Sequence, residues 1–191
     1  MTPKILAVAL AAAVLAGCVP CLHPIYSKND LVFEQALVGQ WQLSESKDSR
    51  LSMQFSKVSQ KTYRLIHTDR NGNEGLFDAR LARIEGTLFL DLCPRQPKVT
   101  DNLVYNGYLL RTHLFMVVEQ LEPELHVRSF EPGWVEKYLR EHPDALAHTK
   151  VDGKIVVTAS TVELQKFALR HLKTEGAYTK PGKWKRSTSR D

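Results

Sequence analysis

From residue 36 to 129 the chain is a series of short segments of strand-like composition separated by turn signals. This pattern restricts the fold to antiparallel β architecture. Segments 37–43, 51–55, 63–68, 75–83, 87–93, 109–119 and 124–130 read as strands. Asn71-Gly72-Asn73 and Glu85-Gly86 are tight-turn sequences. Connections this short pair nearest neighbours in the sequence.

Side-chain alternation assigns faces. Tyr63, Leu65 and His67 share one face of their strand, as do Phe77, Ala79 and Leu81, with Arg64, Asp78 and Arg80 opposite. Segments 88–90 and 114–118 are apolar on both faces, so something must cover their outer side. Two helices are available. Pro132-Gly133 opens one that carries Trp134, Val135, Tyr138 and Leu139 and stops at His142-Pro143. Ser160-Thr161-Val162-Glu163 is a capping box that starts the other, with Leu164, Phe167, Ala168 and Leu172 in one stripe. Between them Val151-Asp152-Gly153 marks a hairpin whose second arm is 154–158.

Gly39-Gln40-Trp41, on the first strand, resembles the Gly-x-Trp signature of lipocalins, in which the tryptophan closes one end of an eight-stranded up-and-down barrel. Counting 154–158 as the last strand gives eight, followed by a helix as in that family. The resemblance implies a mainly β protein: an antiparallel, lipocalin-like barrel with a short inserted helix and a C-terminal helix packed outside. An eight-stranded interior is either filled by side chains or holds one small ligand. The interior candidates are Trp41, Tyr63, Leu65, Phe77, Ala79, Leu81, Phe115 and Val127, each either plain core or a ligand contact.

The N-terminus has its own logic. Lys4 precedes an uncharged apolar run at 5–15, then small residues and a cysteine, the layout of a secretory signal. The run is too short to span a bilayer, which takes about 20 residues. Leu15-Ala16-Gly17-Cys18 resembles the lipobox of bacterial lipoproteins, which implies removal of 1–17 and acylation of Cys18, with palmitate or similar chains. Two or more chains hold a protein stably on a membrane. Val19, rather than Asp, follows the cysteine, so the resemblance implies the outer membrane before the inner one in a bacterial envelope. Residues 18–35 then read as a lipidated N-terminus and a tether or wrapping arm, 36–173 as the barrel, and 174–191 as a basic tail without fixed structure.

Charge argues against one class of partner. The net charge of +5 sits mainly in the tail, on Lys180, Lys183, Lys185, Arg186 and Arg190, and in the signal's Lys4. A nucleic-acid surface needs its charge on the folded domain. Lys180, Lys183, Trp184, Lys185 and Arg186 instead combine cations with an aromatic ring, as in segments that lie on anionic membranes; the alternative is a solubilising terminus.

Of three cysteines, Cys18 is assigned to lipid. Cys21 and Cys93 invite a disulfide in an oxidising compartment, or remain as two unpaired thiols. No H-E-x-x-H, G-x-S-x-G, phosphate loop or dinucleotide motif occurs among the 191 residues. His113 and His126 fall on strands expected to be adjacent, where a metal or acid-base pair could form. Asp91, in the apolar strand Phe89-Leu90-Asp91-Leu92, could orient a ligand or act as a base; alternatively it faces solvent or an arginine. No cofactor or metal is expected, and no enzymatic activity. Two functions remain: binding a small apolar or amphipathic molecule inside the barrel, or an interaction role through the outer surface of a solid barrel. A continuous void would favour the first and interdigitated side chains the second.

Overall fold

Each of the seven segments expected as strands between 37 and 130 contains a strand in the computed structural model, which describes residues 19–44, 50–95 and 102–187. In chain order the strands are β1 (Leu31–Val32), β2 (Gly39–Leu43), β3 (Ser52–Ser59), β4 (Thr62–Thr68), β5 (Glu74–Ile84), β6 (Thr87–Pro94), β7 (Leu114–Gln120), β8 (Glu124–Arg128), β9 (His148–Val151), β10 (Lys154–Val157) and β11 (Gly182–Arg186). The helices are α1 (Leu103–Gly107), α2 (Pro132–Glu141) and α3 (Thr161–Arg170).

β2 through β8 pair antiparallel, each with the next in sequence, and β11 joins β8 to β2. The result is a closed eight-stranded antiparallel barrel, consistent with a lipocalin-like fold. Closure removes every free edge of the ring. The eighth strand is not 154–158: β10 pairs with β9 in a separate two-stranded hairpin. The ring is completed instead by β11, from the stretch expected to be a tail without fixed structure. Trp184 pairs with Leu43 on one side and Leu125 on the other.

Two apolar clusters lie on the two sides of the barrel wall. The inner one is built from Leu37, Trp41, Met53, Phe55, Tyr63, Leu65, Ala79, Leu81, Leu90, Leu92, Met116, Val127 and Trp184, among others. The outer one joins Ala82, Ile84, Phe89, Phe115 and Val117 of β5, β6 and β7 to Val135 and Leu139 of α2 and to Leu164, Phe167 and Ala168 of α3. The helices therefore cover the strands that are apolar on both faces. Phe115, expected inside, belongs to the outer cluster, edge-on to Phe89 at 6.0 Å and to Phe130 at 5.2 Å between ring centroids. Each such side chain, when fully buried, contributes about 1.5–3 kcal/mol. α3 starts at the expected capping box, with both Ser160–Glu163 bonds present.

Residues 19–32 are a wrapping arm, not a free tether. The Cys21 amide donates to the His113 carbonyl at 2.9 Å and receives the His113 amide on its own carbonyl at 2.7 Å. On its other side the Val157 amide donates to the Pro20 carbonyl, and the Leu22 amide donates to the Val157 carbonyl. The arm thus fills the space between β7 and the β9–β10 hairpin. Further on, Thr161 and Gln165 of α3 donate to the carbonyls of Pro24 and Ile25. β1 then pairs with β5 at Leu81 and Ala82. Leu37, in the turn that follows, enters the inner cluster. The signal segment and Cys18 lie outside the described residues, as do residues 188–191.

Candidate functional site

The barrel interior is the first place to look for a ligand site. Trp41, Leu65, Ala79, Leu81, Leu90, Leu92, Leu125 and Val127 have no exposed surface, and Tyr63 has 1%. A side chain lining a void wide enough for water would keep surface open to it. These side chains keep none, so they fill one another's space. Of the interior candidates, Trp41, Tyr63, Leu65, Ala79, Leu81 and Val127 are inner-cluster core, and Phe77 packs partly buried against it. The Trp41 indole donates to the Leu37 carbonyl at 2.9 Å. The Trp184 indole nitrogen is also buried, but has no hydrogen-bond acceptor among the described residues.

Asp91 is neither solvent-facing nor inside the barrel. Leu90 and Leu92 point inward, so Asp91 points outward, beneath the N-terminal arm, where it is 1% exposed. Both carboxylate oxygens are used: Oδ1 meets His113 Nδ1 at 2.7 Å, and Oδ2 accepts the Ile25 amide at 3.1 Å. Tyr26 stands edge-on to the His113 ring at 6.5 Å, with the Arg80 guanidinium over its own ring at 5.6 Å. Burial pushes the Tyr26 hydroxyl up from its ordinary value, against the opposing pull of Arg80. A carboxylate that fixes an imidazole is one half of a catalytic arrangement; the other half is a nucleophile bonded to the same ring. Of the two cysteines on this face, Cys21 donates its thiol to the Val19 carbonyl at 3.6 Å and Cys93 to the Pro94 carbonyl at 4.0 Å, and burial raises the Cys93 thiol away from the reactive thiolate.

His113 and His126 are not brought together. His113 takes Asp91, and His126 takes Glu124 at 3.2 Å on its own strand. Among the described residues no cluster of His, Cys, Asp and Glu could hold a metal ion. Cys21 and Cys93 are both buried, the first in the bridge to His113 and the second at the end of β6. Of the tail residues expected to meet a membrane, Trp184 is inside the barrel. Lys180, Lys183, Lys185 and Arg186 are exposed. No signal in the local sequence around Asp91 could have found its partner Ile25, because the arm reaches it from 66 residues away.

One groove of about 650 Å³ opens at the end of the barrel with the β5–β6 and β7–β8 turns, lined by residues that include Arg83, Leu88, Val118, Glu119, Arg128 and Leu172, of which Leu88 and Val118 belong to the inner cluster. Two of its cations have carboxylate neighbours, Arg128 with Glu119 at 2.6 Å and Arg83 with Glu34 at 2.8 Å. No helix among the described residues is long and apolar enough to cross a membrane. The chain matches no known protein family, no curated protein and no solved structure.

Proposed function

We propose that this protein is a lipid-anchored bacterial envelope protein that works through its outer surface, on a barrel filled by its own side chains and without catalysis. The filled interior carries this reading: an eight-stranded barrel has room for side chains or for one small ligand, and here the side chains take it. The anchor rests on the sequence Leu15-Ala16-Gly17-Cys18, and the outer membrane on Val19 after it. The arm supports the anchor, because a chain fixed from residue 20 onward would hold the barrel against the lipid at Cys18 with no flexible spacer.

A second reading has one observation in its favour. The unpartnered Trp184 indole N–H in the inner cluster would be satisfied by an acceptor on a small amphipathic ligand. Native mass spectrometry of the protein extracted from membranes separates the two. The first reading predicts an acylated chain beginning at Cys18 with nothing else bound. A stoichiometric small molecule would overturn the filled barrel, and an unacylated chain would overturn the anchor.

A further inference from the structure

Exposed large apolar side chains on this protein are unevenly placed. Leu76, Val104, Tyr105, Tyr108 and Leu110 all belong to the end of the barrel where β6 finishes and β5 and β7 begin, and Leu22 of the arm is beside it. Tyr108 and Leu110 are 82% and 80% exposed. At the opposite end, Val58 on the β3–β4 hairpin stands among Lys57, Ser59, Gln60 and Lys61. Single exposed apolar residues are normal on soluble proteins, but a concentration in one loop marks a contact surface.

The start of the described chain lies toward this end. Val19 is two residues from Cys21, Cys21 exchanges both backbone bonds with His113, and His113 is three residues from Leu110. Residue steps and strand spacing therefore hold the Val19 and Leu110 Cα atoms within about 24 Å of each other. The electrostatics at this end agree. Arg95 and Arg111 share the carboxylate of Asp78, at 3.6 and 3.5 Å, which sets two guanidinium groups against one carboxylate beside the apolar loop. Tyrosines with leucines above a cationic base suit the boundary between headgroups and acyl chains of an anionic bilayer.

We infer that this end of the barrel is a membrane-docking face: Tyr105, Tyr108 and Leu110 enter the headgroup region while Arg95 and Arg111 meet anionic lipid, so the barrel stands on the bilayer in one orientation. This rests on the proposed lipid at Cys18 and adds to it a second, non-covalent contact.

The test uses the full acylated protein in phosphatidylethanolamine/phosphatidylglycerol vesicles. An environment-sensitive fluorophore is placed at L110C or, as control, at V58C, under native conditions in which Cys21 and Cys93 are buried. Both sites are exposed, so neither substitution disturbs the core. The expected result is a blue shift at position 110 and several-fold stronger quenching there than at 58 by lipids carrying a headgroup nitroxide. Protein that floats with the vesicles but shows equal quenching at both sites overturns the docking face and leaves the anchor standing. A blue shift at 110 without lipid quenching also overturns it, because a protein partner or a second copy then covers the loop. Protein that fails to float overturns the anchor.

Discussion

The Arg186 guanidinium lies over the Trp41 indole at 4.5 Å, and its two terminal nitrogens donate to the carbonyls of Val38 at 2.7 Å and Ala36 at 2.6 Å. The last strand is thereby fastened to the approach to the first. The same contact explains Gly39, whose φ of +135° is a conformation that other residues rarely adopt. A Cβ there would stand 2.5 Å from Arg186 Nη1. R186A is expected to destabilise the protein by about 1–3 kcal/mol through loss of charge-assisted bonds and the stacking contact. Lysine should not restore it, because an ammonium cannot fork between two carbonyls and stack at once. Urea unfolding of the two variants checks both statements.

Removal of residues 179–191 is expected to abolish the cooperative fold, because it takes β11 out of the ring and leaves β2 and β8 as open edges. Circular dichroism during heating would show loss of the unfolding transition. A dispensable tail would leave the transition in place.

The two interior tryptophans should respond differently to replacement by phenylalanine. At Trp41 the change deletes a made hydrogen bond to Leu37 as well as ring volume, whereas at Trp184 it deletes a buried donor without a protein acceptor. W41F should therefore be the more destabilising by about 1–2 kcal/mol in denaturant titrations.

D91A leaves the Ile25 amide and the His113 ring without their carboxylate under the arm. Leaving buried hydrogen-bonding groups without a partner costs about 1–3 kcal/mol. The loss should show first as faster hydrogen exchange at Ile25 and faster proteolysis within residues 19–30, ahead of global unfolding.

Stability should fall as pH falls through the histidine range. Burial among Trp134, Tyr138 and Phe167 holds the His171 imidazole below its ordinary value, with Arg170 adding to the effect. Burial likewise lowers His67, against the opposing pull of Asp69. Both bind a proton more readily in the unfolded chain. Their contribution is complete above the unfolded value of about 6.5 and is lost as pH drops below it toward the folded values. H171F should flatten that part of the curve in unfolding experiments between pH 7 and 5.

Much of the barrel was legible because alternation is a local signal. Period-two spacing puts Tyr63, Leu65, Ala79 and Leu81 on the inner face, and the apolar outer side of 114–118 calls for the helices that cover it. The eighth strand is not legible locally, because Lys183-Trp184-Lys185 alternates over too few residues to stand out from its basic surroundings. The hairpin arm at 154–158 offered a closer strand, and only long-range pairing distinguishes the two. The outward direction of Phe115 is not legible because β7 is apolar on both faces, where composition cannot tell inner from outer. Asp91 stands out in the sequence as a carboxylate in an apolar strand, but its burial depends on an arm that arrives from the far N-terminus.

Whether the barrel is solid can be read directly from a crystal of the protein held under xenon pressure, since xenon enters dry apolar voids. The account predicts no xenon site among Trp41, Tyr63, Leu65, Leu90 and Trp184. An ordered xenon atom enclosed by these side chains would contradict it and return the interior to the status of a binding cavity.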